Sequence, residues 1–376
     1  MAQIELCGIK KKYGRIEALK NIDLVIQDKE FLVLFGPAGA GKTTILKLIA
    51  GIELPTEGTV KINGETMNLM EASDRNVAMV FENYALYPHM TVYDNIAFPL
   101  RSKRYRQSEE VIRERVESVT RLMKIDGLLD RLPAQISNGQ KQRVALGRSL
   151  VRTPNVFLMD EPLAHLDAKM RHFMRAELKE MQGTLSTTTL YVTHDYMEAL
   201  SLGDRIAILN EGAFEQIGTG EEIYSFPANE FVAKLVGEPE INIFPVRLKR
   251  ENGKTMLVVL GMESALSPGA AKILEGYAKP ELDFGIRAKF IQYHLSKPGG
   301  DCIKGKVYSF EPIGNRAILL VDAEDTLLRL TVPNDVNIEI NTDVYLTLHI
   351  ERALFFDSDD KSLIRPDKGG EIIWPD

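Results

Sequence analysis

The chain has few cysteines and no excess of basic residues. Its two cysteines, Cys7 and Cys302, lie near opposite ends of 376 residues, without CxxC or metal-type spacing. This excludes a disulfide-stapled fold and favours structural thiols in a reducing, cytoplasmic setting. Lys and Arg number 46 against 53 Asp and Glu, which gives a net charge of −7 at pH 7. The chain therefore lacks the positive charge with which proteins bind nucleic acid or anionic lipid non-specifically.

Long apolar runs are also missing. The first residues contain no run of signal-peptide length, and the strongest apolar stretch, 31–35, is far shorter than the roughly 20 residues that span a bilayer. We expect a protein that does not cross a membrane by itself. A content of 44% apolar and 26% charged residues is typical of globular domains, and the length suggests two or three of them at roughly 150 residues each.

Alternation of strand-like and helix-like patterns predicts an α/β domain over residues 1–236. Continuous apolar runs, as expected for parallel strands buried on both faces of a sheet, occur at 31–35, 156–159 and 206–209. Residues 84–150 have a mostly helical pattern, in which Ser108 is placed to cap a helix. We therefore expect a sheet covered by helices, with a helical insertion.

The composition changes after residue 236. In the segment 237–376, Pro, Gly and β-branched residues are prominent, and residues 317–321 and 344–350 are candidate strands. These patterns predict a separate, small β domain of barrel-like form.

The most specific motif is a glycine-rich loop between a predicted strand and a predicted helix. It matches G-x-x-x-x-G-K-[ST] and consists of Gly36, Pro37, Ala38, Gly39, Ala40, Gly41, Lys42, Thr43 and Thr44. Such a loop turns successive backbone N–H groups toward phosphate, and the following helix N-terminus adds positive potential. Lys42 can reach the β- and γ-phosphates, and the Thr43 hydroxyl can bind Mg²⁺. The motif predicts binding of a nucleotide with Mg²⁺.

Two acidic residues follow the predicted strand 156–159, and a histidine follows another strand-like run. Ligands of open α/β sheets bind at the carboxyl ends of strands, where Asp160, Glu161 and His194 are expected. Asp160 would hold Mg²⁺ directly or through water, while Glu161 would polarise the water that attacks the γ-phosphate. His194 is placed to bond the γ-phosphate. These residues predict phosphoryl-transfer chemistry.

With these motifs the chain resembles the ATP-binding cassette ATPases that drive membrane transport. By this resemblance Tyr13 stacks on adenine, and Asp167 lies in the D-loop. Glu82 occupies the Q-loop, where it would bind Mg²⁺ and contact the attacking water. His194 corresponds to the switch histidine. The signature motif, which would complete the site of a second subunit, consists of Ser137, Asn138, Gly139 and Gln140.

The resemblance is greatest to the subgroup that powers maltose and glycerol-phosphate importers, through segments 84–92, 218–232 and 285–287. It implies ATP and Mg²⁺ as cofactors and a P-loop ATPase domain at 1–236, with a helical subdomain at 84–150. It also implies that 237–376 is a small all-β, OB-like (TOBE) regulatory domain.

Partners follow from the same resemblance. It implies a second ATPase subunit, two transmembrane permease subunits and, indirectly, an extracytoplasmic solute-binding protein, with no nucleic acid. Each nucleotide would lie between the phosphate loop of one subunit and the signature motif of the other. The expected location is cytoplasmic, on the inner face of the cell membrane through the permeases.

Three positions depart from the family pattern. Glu82 stands where the family has glutamine, Asn138 replaces a signature glycine, and His165 replaces a residue that is commonly small and polar. We hypothesise that the Glu82 carboxylate, placed near the γ-phosphate, slows turnover or stiffens the coupling switch. Asn138 brings a side chain to a place where backbone approaches phosphate, although asparagine tolerates unusual φ angles.

Several alternatives stay open at this stage. The chain could form a homodimer, or be a catalytically slowed member of a heterodimer. The solute could be a sugar, polyol or glycerol phosphate, or instead a polyamine or an inorganic anion. A cassette protein acting on nucleic acid or ribosomes is disfavoured by the acidic balance and by the single cassette.

Overall fold

The computed structural model describes residues 2–102, 105–152, 154–184, 187–251, 254–336 and 338–365. Contacts divide the chain into two compact units, Met1–Glu221 and Glu222–Asp376. Every helix among the described residues is too short or too polar to span a bilayer.

The first unit alternates strands and helices. In chain order its elements are β1 (Ile4–Tyr13), β2 (Ile16–Ile26), β3 (Phe31–Phe35), α1 (Lys42–Ala50), β4 (Glu57–Ile62), β5 (Glu65–Thr66), β6 (Val77–Val80), α2 (Val92–Ala97), α3 (Glu109–Leu122), α4 (Asn138–Leu150), β7 (Val156–Asp160), α5 (Ala168–Thr184), β8 (Thr188–Thr193), α6 (Tyr196–Leu202), β9 (Arg205–Asn210) and β10 (Ala213–Gly218). Single 3₁₀ turns occur at Ala72–Asp74, Phe98–Arg101, Asp126–Leu128 and Pro133–Gln135.

A mostly parallel sheet forms the centre of this unit. Its strand order is β10-β9-β3-β8-β7-β6, with β10 antiparallel to β9 and the other described pairs parallel. Residues 31–35 of β3, 156–159 of β7 and 206–209 of β9 are buried, which confirms the prediction from the continuous apolar runs. Every residue of β8 is buried as well. Because β8 lies between β3 and β7, the segments that follow these three strands meet at one edge of the sheet.

An antiparallel sheet with the order β2-β1-β4-β5 accompanies the parallel one. Helix α1 packs the side chains of Ile45, Leu46, Leu48 and Ile49 into the apolar core of the unit. Between β6 and β7 the chain is helical, through α2, α3 and α4. Ser108 caps α3 as predicted, because its hydroxyl accepts a hydrogen bond from the N–H of Val111 at 3.4 Å.

The second unit is predominantly β. Its elements are α7 (Gly220–Ser225, beginning at the end of the first unit), α8 (Glu230–Leu235), β11 (Asn242–Glu251), β12 (Lys254–Val259), β13 (Met262–Ala265), α9 (Pro268–Ile273), β14 (Glu281–Ile286), β15 (Ile291–His294), β16 (Ile303–Ile313), β17 (Arg316–Ala323), β18 (Thr326–Pro333), β19 (Asp343–Leu348) and β20 (Leu354–Asp357), with 3₁₀ turns at Ala288–Phe290 and Ile350–Arg352. The strand predicted at 344–350 therefore ends at Leu348. Short helices accompany the strands, so the unit is not purely β.

Two antiparallel sheets make up this second unit, with the orders β13-β12-β11-β14-β20 and β15-β19-β16-β17-β18. The aromatic rings of Phe244, Phe284 and Phe355 pack in its core, at centroid distances of 5.5 and 6.0 Å. Arg287 lies buried at the end of β14 and donates to the carbonyl oxygens of Val236 at 2.6 Å and Tyr224 at 2.7 Å. These contacts tie the segment between α7 and β11 to the sheet.

Candidate nucleotide-binding and hydrolysis site

The glycine-rich loop connects β3 to α1, as the sequence predicts. Gly41 precedes α1 with φ of 109°, and a Cβ atom there would lie 2.8 Å from the carbonyl oxygen of Ala18. Both the left-handed backbone and the close approach require glycine. The N–H of Ala40 donates to the carbonyl of Pro37 at 3.3 Å, which keeps the loop compact.

Lys42 holds its ammonium group inside this loop. The Nζ atom donates to the carbonyl oxygens of Gly36 and Pro37, both at 2.9 Å, and the side chain is 5% exposed. Burial lowers the pKa of Lys42, while the negative charges of Glu161 and Asp160 act in the opposite direction. The lysine is thus a positive charge at the centre of the loop, with Glu161 Oε1 at 3.9 Å from its Nζ.

Thr43 and Asp160 bring two oxygen ligands together. The Thr43 hydroxyl donates to the Asp160 carboxylate at 3.0 Å, which joins the start of α1 to the end of β7. Burial raises the pKa of Asp160, the hydrogen bond from Thr43 lowers it, and the negative charges of Glu161 and Glu82 raise it. Mg²⁺ prefers hard oxygen ligands and commonly takes only one or two carboxylates in addition to phosphates and water.

These residues fit Mg²⁺ held together with a nucleotide. Among the residues that the structure describes, no group of three or more His, Cys, Asp and Glu side chains is arranged to hold a metal. Thr43 and Asp160 therefore supply a partial ligand set, to which phosphate oxygens would add.

Glu161 lies between Lys42 and His194. Its Oε2 atom is 2.7 Å from His194 Nδ1, and its Oε1 atom faces Lys42. The backbone of Glu161 has φ of 44°, in the left-handed region, and its N–H donates to the carbonyl of Val192 at 3.0 Å. The carboxylate, 22% exposed, is therefore accessible to a water molecule and held on two sides.

His194 is supported by a network that the sequence analysis missed. The Thr193 hydroxyl donates to the buried carboxylate of Glu198 at 2.7 Å and accepts from the N–H of Asp195 at 3.0 Å. Tyr191 also donates to Glu198, at 2.9 Å. The spacing between Asp195, which caps α6, and Glu198 in the first turn of α6 is the only sequence signal for this network. It orients the end of β8, from which His194 projects with 57% of its side chain exposed.

Glu82 stands beside His165. The distance from Glu82 Oε1 to His165 Nε2 is 3.5 Å, and each side chain is more than half exposed. The ring of Tyr84 packs edge-on against the His165 ring, with the centroids 6.3 Å apart. Glu82 thus has a specific neighbour in the segment that follows Glu161.

The signature segment begins α4. Ser137 caps the helix, because its hydroxyl accepts from the N–H of Gln140 at 3.3 Å while Gln140 Oε1 accepts from the N–H of Ser137 at 2.9 Å. Gly139 is buried against Met170, whose Cε would lie 2.8 Å from an added Cβ. Asn138 is helical, so its backbone does not need the tolerance of unusual φ angles noted for asparagine. Across the described contacts, no hydrogen bond or ion pair joins this segment to the phosphate loop.

Tyr13 and Asp167 occupy the ends of other elements. Tyr13 is the last residue of β1, is 42% exposed, and donates its hydroxyl hydrogen to Glu53. Asp167 precedes α5, and its carboxylate accepts from the N–H of Met170 at 2.9 Å. Lys42, Thr43, Asp160, Glu161 and His194 are thus brought together, whereas Tyr13, Asp167 and the signature segment lie on separate elements.

Known proteins share the sequence of most of this chain, and a solved structure shares the fold of part of it. A family model described as ABC transporter matches residues 19–164. The trehalose/maltose import ATP-binding protein MalK of Thermococcus litoralis is 43% identical over 334 residues, which are 85% of this chain and 88% of the relative. The sn-glycerol-3-phosphate import ATP-binding protein UgpC of Cereibacter sphaeroides is 49% identical over 333 residues, 88% and 90% of the two chains.

A solved structure is similar to part of the chain. It is the dimeric, post-hydrolysis state of the ATP-binding cassette MJ0796 bound to ADP and Pi, with 33% identity and a TM-score of 0.52. The match covers 57% of this chain and 98% of that one, and it confirms the P-loop ATPase fold.

Proposed function

The chain belongs to the family of ABC transporter ATP-binding proteins, and on this basis we propose which residues perform its ATP hydrolysis and what the hydrolysis drives. The protein is an ATPase and serves as the motor subunit of an importer. The observation that carries the assignment of residues is the position of the Glu161 carboxylate between Lys42 and His194.

Hydrolysis requires an oriented water and positive charge around the γ-phosphate. Glu161 accepts a hydrogen bond from the attacking water and polarises it, while Lys42 and the loop N–H groups hold the β- and γ-phosphates. His194 faces the γ-phosphate with one ring nitrogen and contacts Glu161 with the other. Mg²⁺, held by Thr43 and Asp160 with Glu82 nearby, would neutralise charge on the phosphate oxygens.

Completion of the site requires a second ATPase subunit. Ser137, Asn138, Gly139 and Gln140 begin a helix that has no described contact with the phosphate loop of its own chain. The dimeric state of the similar cassette bound to ADP and Pi supports pairing. We infer that the signature segment and Asp167 of one subunit face the nucleotide of the other, and that ATP closes the pair.

The permease partners would contact the helical region. A cavity of about 550 Å³ is lined by aromatic side chains that include Phe81, Tyr87 and Phe98. Phe81 and Phe98 are 36% and 41% exposed. This cavity suits an apolar segment from one transmembrane subunit, and the same cavity in the second ATPase subunit would take a segment from the other. Such contacts would place the protein on the cytoplasmic face of the membrane.

The similar proteins guide the choice of solute. Their names specify import of trehalose, maltose or sn-glycerol 3-phosphate, so a sugar, polyol or glycerol phosphate is our proposal for this chain. We further propose that residues 1–236 form the ATPase domain, with 84–150 as its helical subdomain, and that 237–376 form an OB-like (TOBE) regulatory domain.

Reconstitution tests the proposal. The chain would be co-purified with its permeases in proteoliposomes, and ATP hydrolysis measured with each candidate solute and its extracytoplasmic binding protein. We expect stimulation and uptake with a sugar or glycerol phosphate. Stimulation only by a polyamine or an inorganic anion would reassign the solute, and capture of ribosomes or DNA instead of permeases would overturn the importer function.

A further inference from the structure

Tyr13 is joined to the far end of the helix that follows the phosphate loop. Tyr13 ends β1 and hydrogen-bonds through its hydroxyl to Glu53, three residues after the last residue of α1 (Lys42–Ala50). The backbone N–H of Glu53 donates to the carbonyl of Lys47, in the last turn of α1, at 3.3 Å. Tyr13 is thus anchored to the same helix whose first residues hold phosphate.

Positive charges fix the Glu53 carboxylate. Lys11 Nζ lies 3.1 Å from one of its oxygens, and Lys47 Nζ lies 3.6 Å from the other. Lys11 also donates to the carbonyl of Leu54 at 2.9 Å and sits 4.8 Å from the centroid of the Tyr13 ring. Glu53 is 21% exposed, so this is a partly buried acceptor with defined partners and not a mobile surface acid.

We propose that Glu53 is a positioning residue for nucleotide binding, which fixes the orientation of the Tyr13 ring through its hydroxyl. The inference rests on the proposed ATPase function and on the role that the family resemblance implies for Tyr13, as the ring that stacks on adenine. An exposed aromatic ring samples several orientations, and a stacking ligand must select one of them at an entropic cost. The hydrogen bond from Tyr13 to Glu53, which we call the anchor, removes part of this entropic cost before the base binds.

The anchor also relates the base to the phosphates. Because α1 begins at Lys42 and is followed directly by the turn that carries Glu53, the ring and the phosphate loop are attached to the same rigid element. The side chain of Thr44, in the first turn of α1, also interacts with the Tyr13 hydroxyl. The distance between the stacking plane and the phosphate cradle is therefore set within the subunit.

The test compares ligands with and without a base. ADP and inorganic pyrophosphate would be titrated against the full chain and against Tyr13→Phe, Glu53→Met and the double variant, with calorimetry for ADP and competition for pyrophosphate. Tyr13→Phe keeps the ring and removes only the hydroxyl. We expect the Kd for ADP to rise about three- to tenfold in both single variants, with pyrophosphate affinity unchanged.

The double variant measures coupling between the two residues. If Glu53 acts only through the Tyr13 hydroxyl, Tyr13→Phe combined with Glu53→Met binds ADP as weakly as either single variant. The inference would be overturned if the increases in the Kd for ADP of the two single variants multiply in the double variant. It would also be overturned if the variants bind pyrophosphate more weakly, because this would indicate a damaged phosphate loop.

Two further variants separate the possible failures. Glu57→Met is the matched control, because Glu57 is an exposed acid on the adjacent strand that pairs with Lys10 at 2.7 Å, and its ADP affinity should equal that of the wild type. Tyr13→Ala should weaken ADP binding about ten- to a hundredfold. If Tyr13→Ala does not change ADP affinity, the role of Tyr13 in stacking on the base is contradicted. If Tyr13→Ala weakens ADP binding while Tyr13→Phe and Glu53→Met do not, only the positioning role of Glu53 is contradicted.

Discussion

His165 Nε2 lies 3.5 Å from Glu82 Oε1, so two residues that depart from the pattern of ATP-binding cassettes contact each other. One follows β6 and the other follows Glu161, at positions 83 residues apart in the chain (165 − 82). A carboxylate in place of the family glutamine adds negative charge near Asp160, and the imidazole is its nearest described ion-pair partner. The two departures therefore belong to one local arrangement.

Replacement of Glu82 by glutamine should accelerate hydrolysis. The change removes a negative charge close to Asp160 and the proposed γ-phosphate position, and a charge pair at about 4 Å is worth about 1 kcal/mol in water. We expect kcat of the reconstituted complex to rise up to about fivefold. His165→Asn, which removes the partner and keeps the carboxylate, is the control and should not produce this gain. An unchanged hydrolysis rate together with unchanged transport coupling would exclude an inhibitory role of Glu82.

Replacement of Glu161 by glutamine should separate ATP binding from hydrolysis. The amide cannot polarise the water as a carboxylate does, so we expect kcat to fall by about 10²–10⁴. Binding by Lys42 and the loop remains, so equilibrium sedimentation with ATP and Mg²⁺ should show saturable dimer formation with the chain itself or its paralogue. Glu211→Gln, at an exposed turn, is the matched substitution and should leave hydrolysis intact. Monomers that persist at millimolar ATP would contradict the two-subunit site.

Loss of Arg287 should destabilise the second unit. Its buried guanidinium donates to the carbonyls of Val236 and Tyr224 and stacks on the Tyr224 ring at 3.8 Å. Arg287→Ala leaves these carbonyls without donors, and we expect the free energy of unfolding to fall by about 2–4 kcal/mol. Urea denaturation followed by circular dichroism measures this loss. Arg316→Ala removes exposed contacts in the same unit and should lower the free energy of unfolding by under about 1 kcal/mol. If both variants lose the same free energy of unfolding, the buried Arg287 contacts stabilise the unit no more than the exposed ones.

The ion pair at the end of β20 should make stability depend on pH in the acidic range. The hydrogen bond from Lys279 lowers the pKa of Asp357 to about 2. A folded-state pKa below the unfolded value of about 3.9 means that the unfolded chain takes up the proton first as pH falls. The stabilisation is therefore complete above about pH 5 and is lost between about pH 5 and pH 2.

Thermal unfolding from pH 3 to pH 6 tests this dependence. Asp357→Asn should lower the melting temperature most at pH 6, and the difference from the wild type should shrink as pH falls. Asp325→Asn, in the turn between β17 and β18, serves as the control, and its difference from the wild type should not change in this way. A difference for Asp357→Asn that is constant over the range would show that the ion pair does not contribute.

The phosphate loop and the acidic residues at the strand end could be predicted because each feature consists of residues that are consecutive in the sequence. Gly41, Lys42 and Thr43 require only a strand before them and a helix after them, and Asp160 and Glu161 directly follow a continuous apolar run. The signature and Tyr13 were identified by resemblance to a family and not by physical derivation. Asn138 shows the limit of such reasoning, since its backbone is helical and does not need the tolerance of unusual φ angles that asparagine offers.

Other features depend on residues that are distant in the chain. Neither the contact of Glu82 with His165 nor the anchor from Tyr13 to Glu53 has a spacing that a sequence pattern detects. The phosphate chemistry could be predicted from short segments of the chain, because backbone turns and apolar periodicity act over a few neighbouring residues. The partner of each acidic side chain became known only with the fold, because strand order and helix packing set the distances between side chains of different elements.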